Sequence, residues 1–479
     1  MKFRTILFLL PVVVLIVSCN KHGRNLEITE RYFDKIKHEG DNAGLTMFFT
    51  QMPKGGDLHH HYSGALYAET YLDWAGKKGL RINTDSWRLD TNRSDITIDS
   101  LKRNTALYRK VLEVWSDEDF SDNFHLQEPP DQHFFNTFGY FGNISKDFYH
   151  AGLEEIKDEA EKENVQYIET MLNFPHMGVK LNPALNDSME NLQYSKDTVR
   201  LYKVFSSFVN AIEADPGYNK SETDYIKELY TAHESIDDTA FTMRFQAYAV
   251  RTLPPENVFA TLYGCFDAVV RDKSALLVGV NIVAPENNYI AMRDYWLHMQ
   301  MFRYLKKMFP SVKTDMHAGE LCLGMVKPQD LTYHIHDAVF TANADRIGHG
   351  VDIPYETEAQ ATLKKMKADS IAVEINLTSN EFILGVKGND HPVNLYYDAG
   401  VAIVISTDDA GVSRNNLTSQ YVLLASRYHY SYQQIKAFVF NSITYSFMKP
   451  AEKAALKEKL NRKFDAFEAA IANDYHNSK

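Results

Sequence analysis

A chain of 479 residues, 44% hydrophobic and 24% charged, has the balance of a globular protein with ample length for a large core. Its formal net charge of −12, with no Lys/Arg block beyond the first few residues, argues against a nucleic-acid backbone as partner. A small, neutral or weakly charged ligand suits it better. Three cysteines are too few for a disulfide scaffold, so the fold must rest on its core, and Cys265 and Cys322 read as buried free thiols.

In chain order, the first feature is a targeting signal. Lys2 and Arg4 precede an apolar run over residues 6–17 that is too short to span a bilayer comfortably. Ile16-Val17-Ser18-Cys19 resembles the lipobox of bacterial lipoproteins. Residues 1–18 are then a removed signal peptide, and Cys19 is the lipidated first residue that anchors the chain to a periplasmic or outer membrane surface. A plain secretory signal with an incidental Cys is the alternative. Residues 19–50 read as a polar, partly helical lead-in.

Strand-like runs then recur at residues 56–61, 165–172, 241–250, 276–284, 312–317, 346–349, 371–376 and 401–406. Most are β-branched or aromatic-rich, and several are continuously apolar, as parallel strands buried on both faces should be. Between them, residues 148–163, 289–308 and 356–367 have helical spacing. Eight strands alternating with helices predict an α/β fold of the (β/α)8 TIM-barrel type over residues 51–450, with an open doubly wound sheet as the competitor. Two segments exceed a minimal barrel. One is a polar excursion over 67–132 after the first strand. The other covers 176–238 after the second, with helices expected at 198–214 and 221–233. Long loops at the C-terminal ends of barrel strands shape the substrate site. Residues 451–479 read as an exposed, amphipathic C-terminal helix.

Four strand ends carry polar clusters. Strand one closes in Asp57-Leu58-His59-His60-His61, where alternation puts His59 and His61 on one side and His60 on the other. That is half of a metal site, though by itself a His cluster more often just caps a strand. Strand five ends in His317-Ala318-Gly319-Glu320, adding a third imidazole with a carboxyl group beside it. Strand six ends in Gly348-His349-Gly350, where glycines allow close backbone approach. Strand eight runs into Ser406-Thr407-Asp408-Asp409, two acids that need a cation, or else an N-cap. In a barrel all four ends meet at one mouth, so together they point to a metal site.

As a set, Met52-Pro53-Lys54-Gly55-Gly56-Asp57-Leu58-His59-His60-His61, His317-Ala318-Gly319-Glu320, Arg346-Ile347-Gly348-His349-Gly350 and Ser406-Thr407-Asp408-Asp409 resemble the signature blocks of the adenosine deaminase family. Lesser blocks agree: Tyr167-Ile168-Glu169, Ser379-Asn380, His391-Pro392 and Asn441-Ser442. The opening block and the long first insertion are most similar to the secreted branch of deaminase-related growth factors. The resemblance implies one Zn2+ per chain, held by His59, His61, His317 and Asp408. It makes Glu320 the proton donor to the purine ring, His349 the group that orients and deprotonates the attacking water, and Asp409 a contact to the base. Zinc brings the pKa of bound water to about 7, and a protonated Glu320 makes the ring carbon electrophilic. Strand four has no Lys that could bridge a second metal, and the His-x-Glu with Pro-Cys-x-x-Cys pattern of cytidine deaminases is absent.

Three departures bear on the substrate. Tyr62-Ser63-Gly64 stands where the family has an acid against the ribose, leaving Ser63 as the weaker hydrogen-bonding group. Ala284-Pro285-Glu286 replaces a glycine-containing turn, so Ala284 and Gly319 are the expected backbone contacts to the purine, with a methyl group added at Ala284. Ala410-Gly411 follows Asp409 where a Pro is common. The implied activity is hydrolytic deamination of adenosine or 2′-deoxyadenosine to inosine-type products and ammonia, in purine salvage at the cell envelope. The alternatives are another 6-aminopurine or nucleoside derivative, and a nucleoside-binding protein without turnover.

Overall fold

The computed structural model describes residues 10–92, 95–118, 120, 128–175 and 183–477. Eight parallel strands form its centre: β1 Gly55–His61, β2 Val165–Met171, β3 Thr242–Val250, β4 Leu277–Val283, β5 Asp315–Ala318, β6 Arg346–His349, β7 Ala372–Ile375 and β8 Ile403–Ile405. They lie within three residues of the bounds expected from the apolar runs. Continuous hydrogen bonding produces two four-stranded sheets, ordered β1-β2-β3-β4 and β8-β7-β6-β5. Single parallel bridges close the ring, Val280 to Thr314 between β4 and β5, and His60 to Asp408 between β1 and the end of β8. The second seam is reinforced by side chains, because Thr407 donates through its amide (3.3 Å) and hydroxyl (2.6 Å) to the Asp57 carboxylate. An open doubly wound sheet has no such return of the last strand to the first. The fold is a (β/α)8 barrel.

The barrel interior is polar at its centre. Arg346, fully buried in β6, meets Glu169 (2.7 Å), Asp315 (3.2 Å) and Glu374 (2.5 Å), with its guanidinium 3.8 Å from the centroid of the Phe447 ring. Three carboxylates around one cation leave an excess of negative charge inside the barrel. The Glu374 carboxyl is accordingly pushed up to about 7, by burial first and then by Asp315.

The excursion after β1 is more structured than its polar composition suggests. It carries helices Ala68–Lys77, Ile98–Arg103 and Thr105–Trp115, a small antiparallel sheet of Arg81–Ile82, Leu89–Asp90 and Ile96–Thr97, and the helix Pro130–Ser145. Phe141 of that last helix stacks on Tyr71 (4.5 Å between centroids, 7° between planes), which docks it against the helix Ala68–Lys77. The second insertion holds three helices, Pro183–Ser195, Thr198–Ala214 and Pro216–His233.

The C-terminal helix Pro450–Asn477 is not fully exposed, because Leu456, Leu460, Phe464, Phe467 and Ile471 bury one face. It packs along the first helix, Leu10–His38. Within the expected signal, residues 1–9 lie outside the described residues, as do the side chains of residues 10–22, including Cys19. Among the described residues no helix is long and apolar enough to cross a membrane.

Candidate active site

The four polar strand ends do meet. Both His59 and His61 turn inward from β1, while His60 turns outward and its Nδ1 pairs with the Thr170 hydroxyl of β2 (2.9 Å). The Nε2 of His61 lies 3.1 Å from His317 Nε2 and 3.2 Å from Asp408 Oδ1. His59 Nε2 lies 3.4 Å from that same oxygen. The His349 ring completes the group, 4.7 Å from His59 and 5.3 Å from His317 between centroids. Residues separated by up to 349 positions thus share one small volume, because barrel closure brings the ends of β1, β5, β6 and β8 to one mouth.

Each candidate ligand is held by a further partner. His59 Nδ1 pairs with Glu374 Oε2 at 2.8 Å, and His317 Nδ1 with Asn281 Oδ1 at 2.9 Å. Asn281 donates its amide N–H to Gln246 Oε1 at 3.2 Å, so its oxygen is the atom that accepts from His317. Both rings therefore donate through Nδ1, so that in its neutral form each turns a bare Nε2 to the centre, the tautomer that a metal ligand requires. Asp408 Oδ2 accepts from the Ser379 hydroxyl at 2.6 Å, which leaves Oδ1 for the centre.

These groups fit a divalent metal. His59 Nε2 is buried without a hydrogen-bond partner. Candidate ligand atoms of His59, His317, His349 and Asp408 all lie within 4.8 Å of one another. Electrostatics point the same way. Burial works against charge on His59, yet Asp408 and Glu374 together pull its ring well above the ordinary imidazole range. Burial and the neighbouring imidazoles push His317 well below that range, and burial lowers His61. The cluster thus favours a single positive charge at its centre over several protonated rings.

The acids divide their labour. Despite its burial, Asp408 is held well below the carboxylate range by the His59 and His61 rings, so it is ionised. Burial and the adjacent Asp408 drive Asp409 well above that range, so it is neutral. Glu320 is raised well above its ordinary value by burial, then by Asp408 and Glu286, and holds a proton at neutral pH. Its backbone is pinned from behind, because Glu286 accepts from the amides of Gly319 (3.2 Å) and Glu320 (2.9 Å) and pairs with His334 (2.5 Å).

Strand ends here are strained. Ala284, His349 and Asp408 have φ of 85°, 67° and 63°, the left-handed region that costs a residue with a Cβ about 1–2 kcal/mol. Their gathering at the mouth is a mark of function. Glycines elsewhere make room: a Cβ on Gly64 would lie 1.4 Å from Asp409 Oδ1, and one on Gly348 2.6 Å from His59 Cε1. Replacing Ala284 by Gly should relieve its strain and raise unfolding stability by about 0.5–1 kcal/mol. Urea denaturation checks this, and a lower midpoint would contradict the strain argument.

A cavity of about 350 Å³ opens on the cluster, with His61, His317, Glu320, His349, Asp408 and Asp409 at its inner end. Ser63 and Ala284 line it as expected. Gly319 does not, because its N–H is committed to Glu286 and its carbonyl accepts from Val351 and Asp352. The remaining wall is apolar and was not foreseen. Phe134, Phe135 and Phe138 come from the helix Pro130–Ser145 of the first insertion, and Met171 and Tyr248 from the strands. Glu374, Asn281 and Ser379 were equally unforeseen as partners; Glu374 and Asn281 are lone polar residues in apolar strands, whereas Ser379 lies in the polar run Thr378-Ser379-Asn380-Glu381.

Comparison with known proteins agrees with this geometry. The adenosine deaminase family model matches residues 219–463. An adenosine deaminase of Aedes albopictus is 32% identical over 470 residues, covering 91% of this chain and 78% of that protein. One from Enterococcus faecalis is 33% identical over 155 residues, a match that spans 32% of this chain and only 42% of that relative. Among solved structures, the Arabidopsis N6-mAMP deaminase superposes with a TM-score of 0.57 at 17% identity, over 87% of this chain and 99% of that one. From its matched sequence and its metal-ready barrel mouth alike, the chain belongs to the adenosine deaminase family of hydrolases, which act on C–N bonds of cyclic amidines.

Proposed function

We infer that the chain is a zinc-dependent deaminase of adenosine or 2′-deoxyadenosine. The observation that carries this reading is a buried Glu320 beside three imidazoles and the Asp408 carboxylate, all lining or bordering one cavity of about 350 Å³. Three nitrogens and one carboxylate oxygen are the donor set zinc takes in catalytic sites, with His59, His61, His317 and Asp408 as ligands. A zinc ion there would supply a nucleophile from water at neutral pH. Glu320 would give its proton to the ring nitrogen next to the amino-bearing carbon, removing electron density from the atom under attack. Neutral Asp409, whose Oδ1 is buried without a partner, would offer a hydrogen bond to the base.

Lining composition bears on the choice between nucleoside and nucleotide. Arabidopsis relatives of the same fold have been crystallised with IMP and GMP, both phosphate-bearing. Here no Lys or Arg lines the cavity among the described residues, and three acids do. A phosphate would be desolvated without a counter-charge. The reading is therefore a nucleoside or base. Ser63 in place of an acid, facing a phenylalanine wall, favours sugars with fewer hydroxyls, so 2′-deoxyadenosine and 5′-deoxy analogues belong in the comparison. Rates on adenosine, these analogues, adenine and AMP should be measured with metal content determined on the same sample. Adenosine is expected to exceed AMP by at least about tenfold in kcat/KM, a difference of about 1.4 kcal/mol in transition-state binding. AMP preferred over adenosine would overturn the nucleoside reading, and no turnover of any aminopurine would overturn the enzyme.

The N-terminal motif supports a further part of the reading, a lipid anchor on Cys19 that holds the enzyme in a bacterial cell envelope, where it would serve purine salvage. Metabolic labelling with a fatty acid should mark the wild-type protein and not Cys19→Ser, and equal labelling of both would remove the anchor.

A further inference from the structure

A chain of hydrogen bonds behind His349 ends on a group whose donor role is not open to choice. The amide of Val393 donates to His391 Nδ1 at 3.2 Å. That ring is buried, and burial pushes its pKa down to about 3, so it is neutral with its one hydrogen on Nε2. Nε2–H accordingly donates to Asn380 Oδ1, 3.1 Å away. Fixing the oxygen fixes the amide, and Asn380 Nδ2–H is left aimed at His349 Nδ1 at 3.0 Å. A second amide nitrogen, Asn376 Nδ2, approaches the same atom at 3.3 Å. The fixed Asn380 N–H makes His349 Nδ1 an acceptor, whereas Asn376, whose Oδ1 has no partner, has no contact that decides which end of its amide it presents.

We propose that Asn380 and His391 are positioning residues that lock His349 in the tautomer with hydrogen on Nε2. The inference rests on the deaminase reading only for its consequence. His349, whose Nδ1 also stands 3.7 Å from Glu320 Oε1, then has its one N–H on Nε2, and the role of proton acceptor expected of it from the sequence would fall to Nδ1, which is already taken by Asn380. An N–H donor fixed in advance would orient an attacking oxygen and stabilise developing negative charge without reorganising. The bonds that fix it run back through Asn380 and His391 to a backbone amide, which cannot change its own role. This assigns a physical task to Asn380 and His391, as the Asp408 contact does to Ser379.

The test reads the tautomer directly. Protein loaded with zinc and labelled with 15N-histidine should show His349 protonated on Nε2 and bare on Nδ1. Asn380→Asp replaces the donor by an acceptor and should move the proton to Nδ1, with kcat falling about 100-fold or more and KM staying within about threefold. His391→Gln keeps an N–H for Asn380 and should retain the Nε2–H form and most of the turnover. His391→Leu frees the Asn380 amide to rotate and should give a mixture of both tautomers, which keeps the proposal open to refutation if Asn380→Asp fails to fold. A wild-type His349 protonated on Nδ1, or a single unchanged tautomer in His391→Leu, would overturn it. Should the protein deaminate nothing, the nitrogen spectra still decide the tautomer, so the two readings fail separately.

Discussion

Glu320→Gln is expected to keep its metal and its fold while losing two to four orders of magnitude in kcat. The reason lies in what Glu320 has and Gln lacks. A buried carboxyl raised far above its ordinary range carries a proton it can release, whereas an amide of the same shape donates a hydrogen bond and nothing more. Its backbone is held by Glu286 through the Gly319 and Glu320 amides, contacts the substitution does not touch. The loss should therefore fall on kcat and kcat/KM together, the sign of an interaction made in the transition state alone. Steady-state kinetics with metal analysis on the same preparation checks it. A variant that retains turnover would show the proton comes from elsewhere.

Asp408→Ala should be the more damaging change to the site. Asp408 Oδ1 is the atom on which His59 and His61 converge, and its carboxyl is held well below the ordinary range by those two rings. Its removal leaves His61 without its carboxylate partner and His59 with Glu374 alone. Metal affinity should fall by more than the roughly 10–100-fold that loss of an outer partner costs, with turnover lost in parallel. Ser379→Ala, which deprives Asp408 Oδ2 of one hydrogen bond, provides the comparison at the milder end. The seam between β1 and β8 should survive, because Asp408 contributes to it through its backbone: its amide donates to the His59 carbonyl and its carbonyl accepts from His61. Near-wild-type circular dichroism with empty metal content is thus the expected pair of results. Full occupancy in Asp408→Ala would contradict the ligand set.

Several misjudgements from the sequence share a cause. By composition the excursion after β1 ends at residue 132, yet the helix Pro130–Ser145 runs past that bound, and its Phe134, Phe135 and Phe138 at helical spacing form one wall of the cavity. A boundary drawn where polar composition ends cuts the helix short of the three aromatic residues that face the site. The C-terminal helix looked exposed because its mean composition is polar, whereas Phe464 and Phe467 are buried against the rest of the protein.

What the amino-acid order determined alone is local. Apolar β-branched runs specify strands buried on both faces, alternation along β1 sends His59 and His61 one way and His60 the other, and four strand ends carry the polar chemistry. What only the tertiary structure decided is pairing. Glu374 holds His59 across 315 residues of chain, Asn281 sets the tautomer of His317, and Asp408 takes the charge while its neighbour Asp409 stays neutral. The physical reason is that a strand's own residues fix its direction and faces. Which side chain stands opposite, and at what depth, follows from closing the barrel, an event that no window of sequence contains.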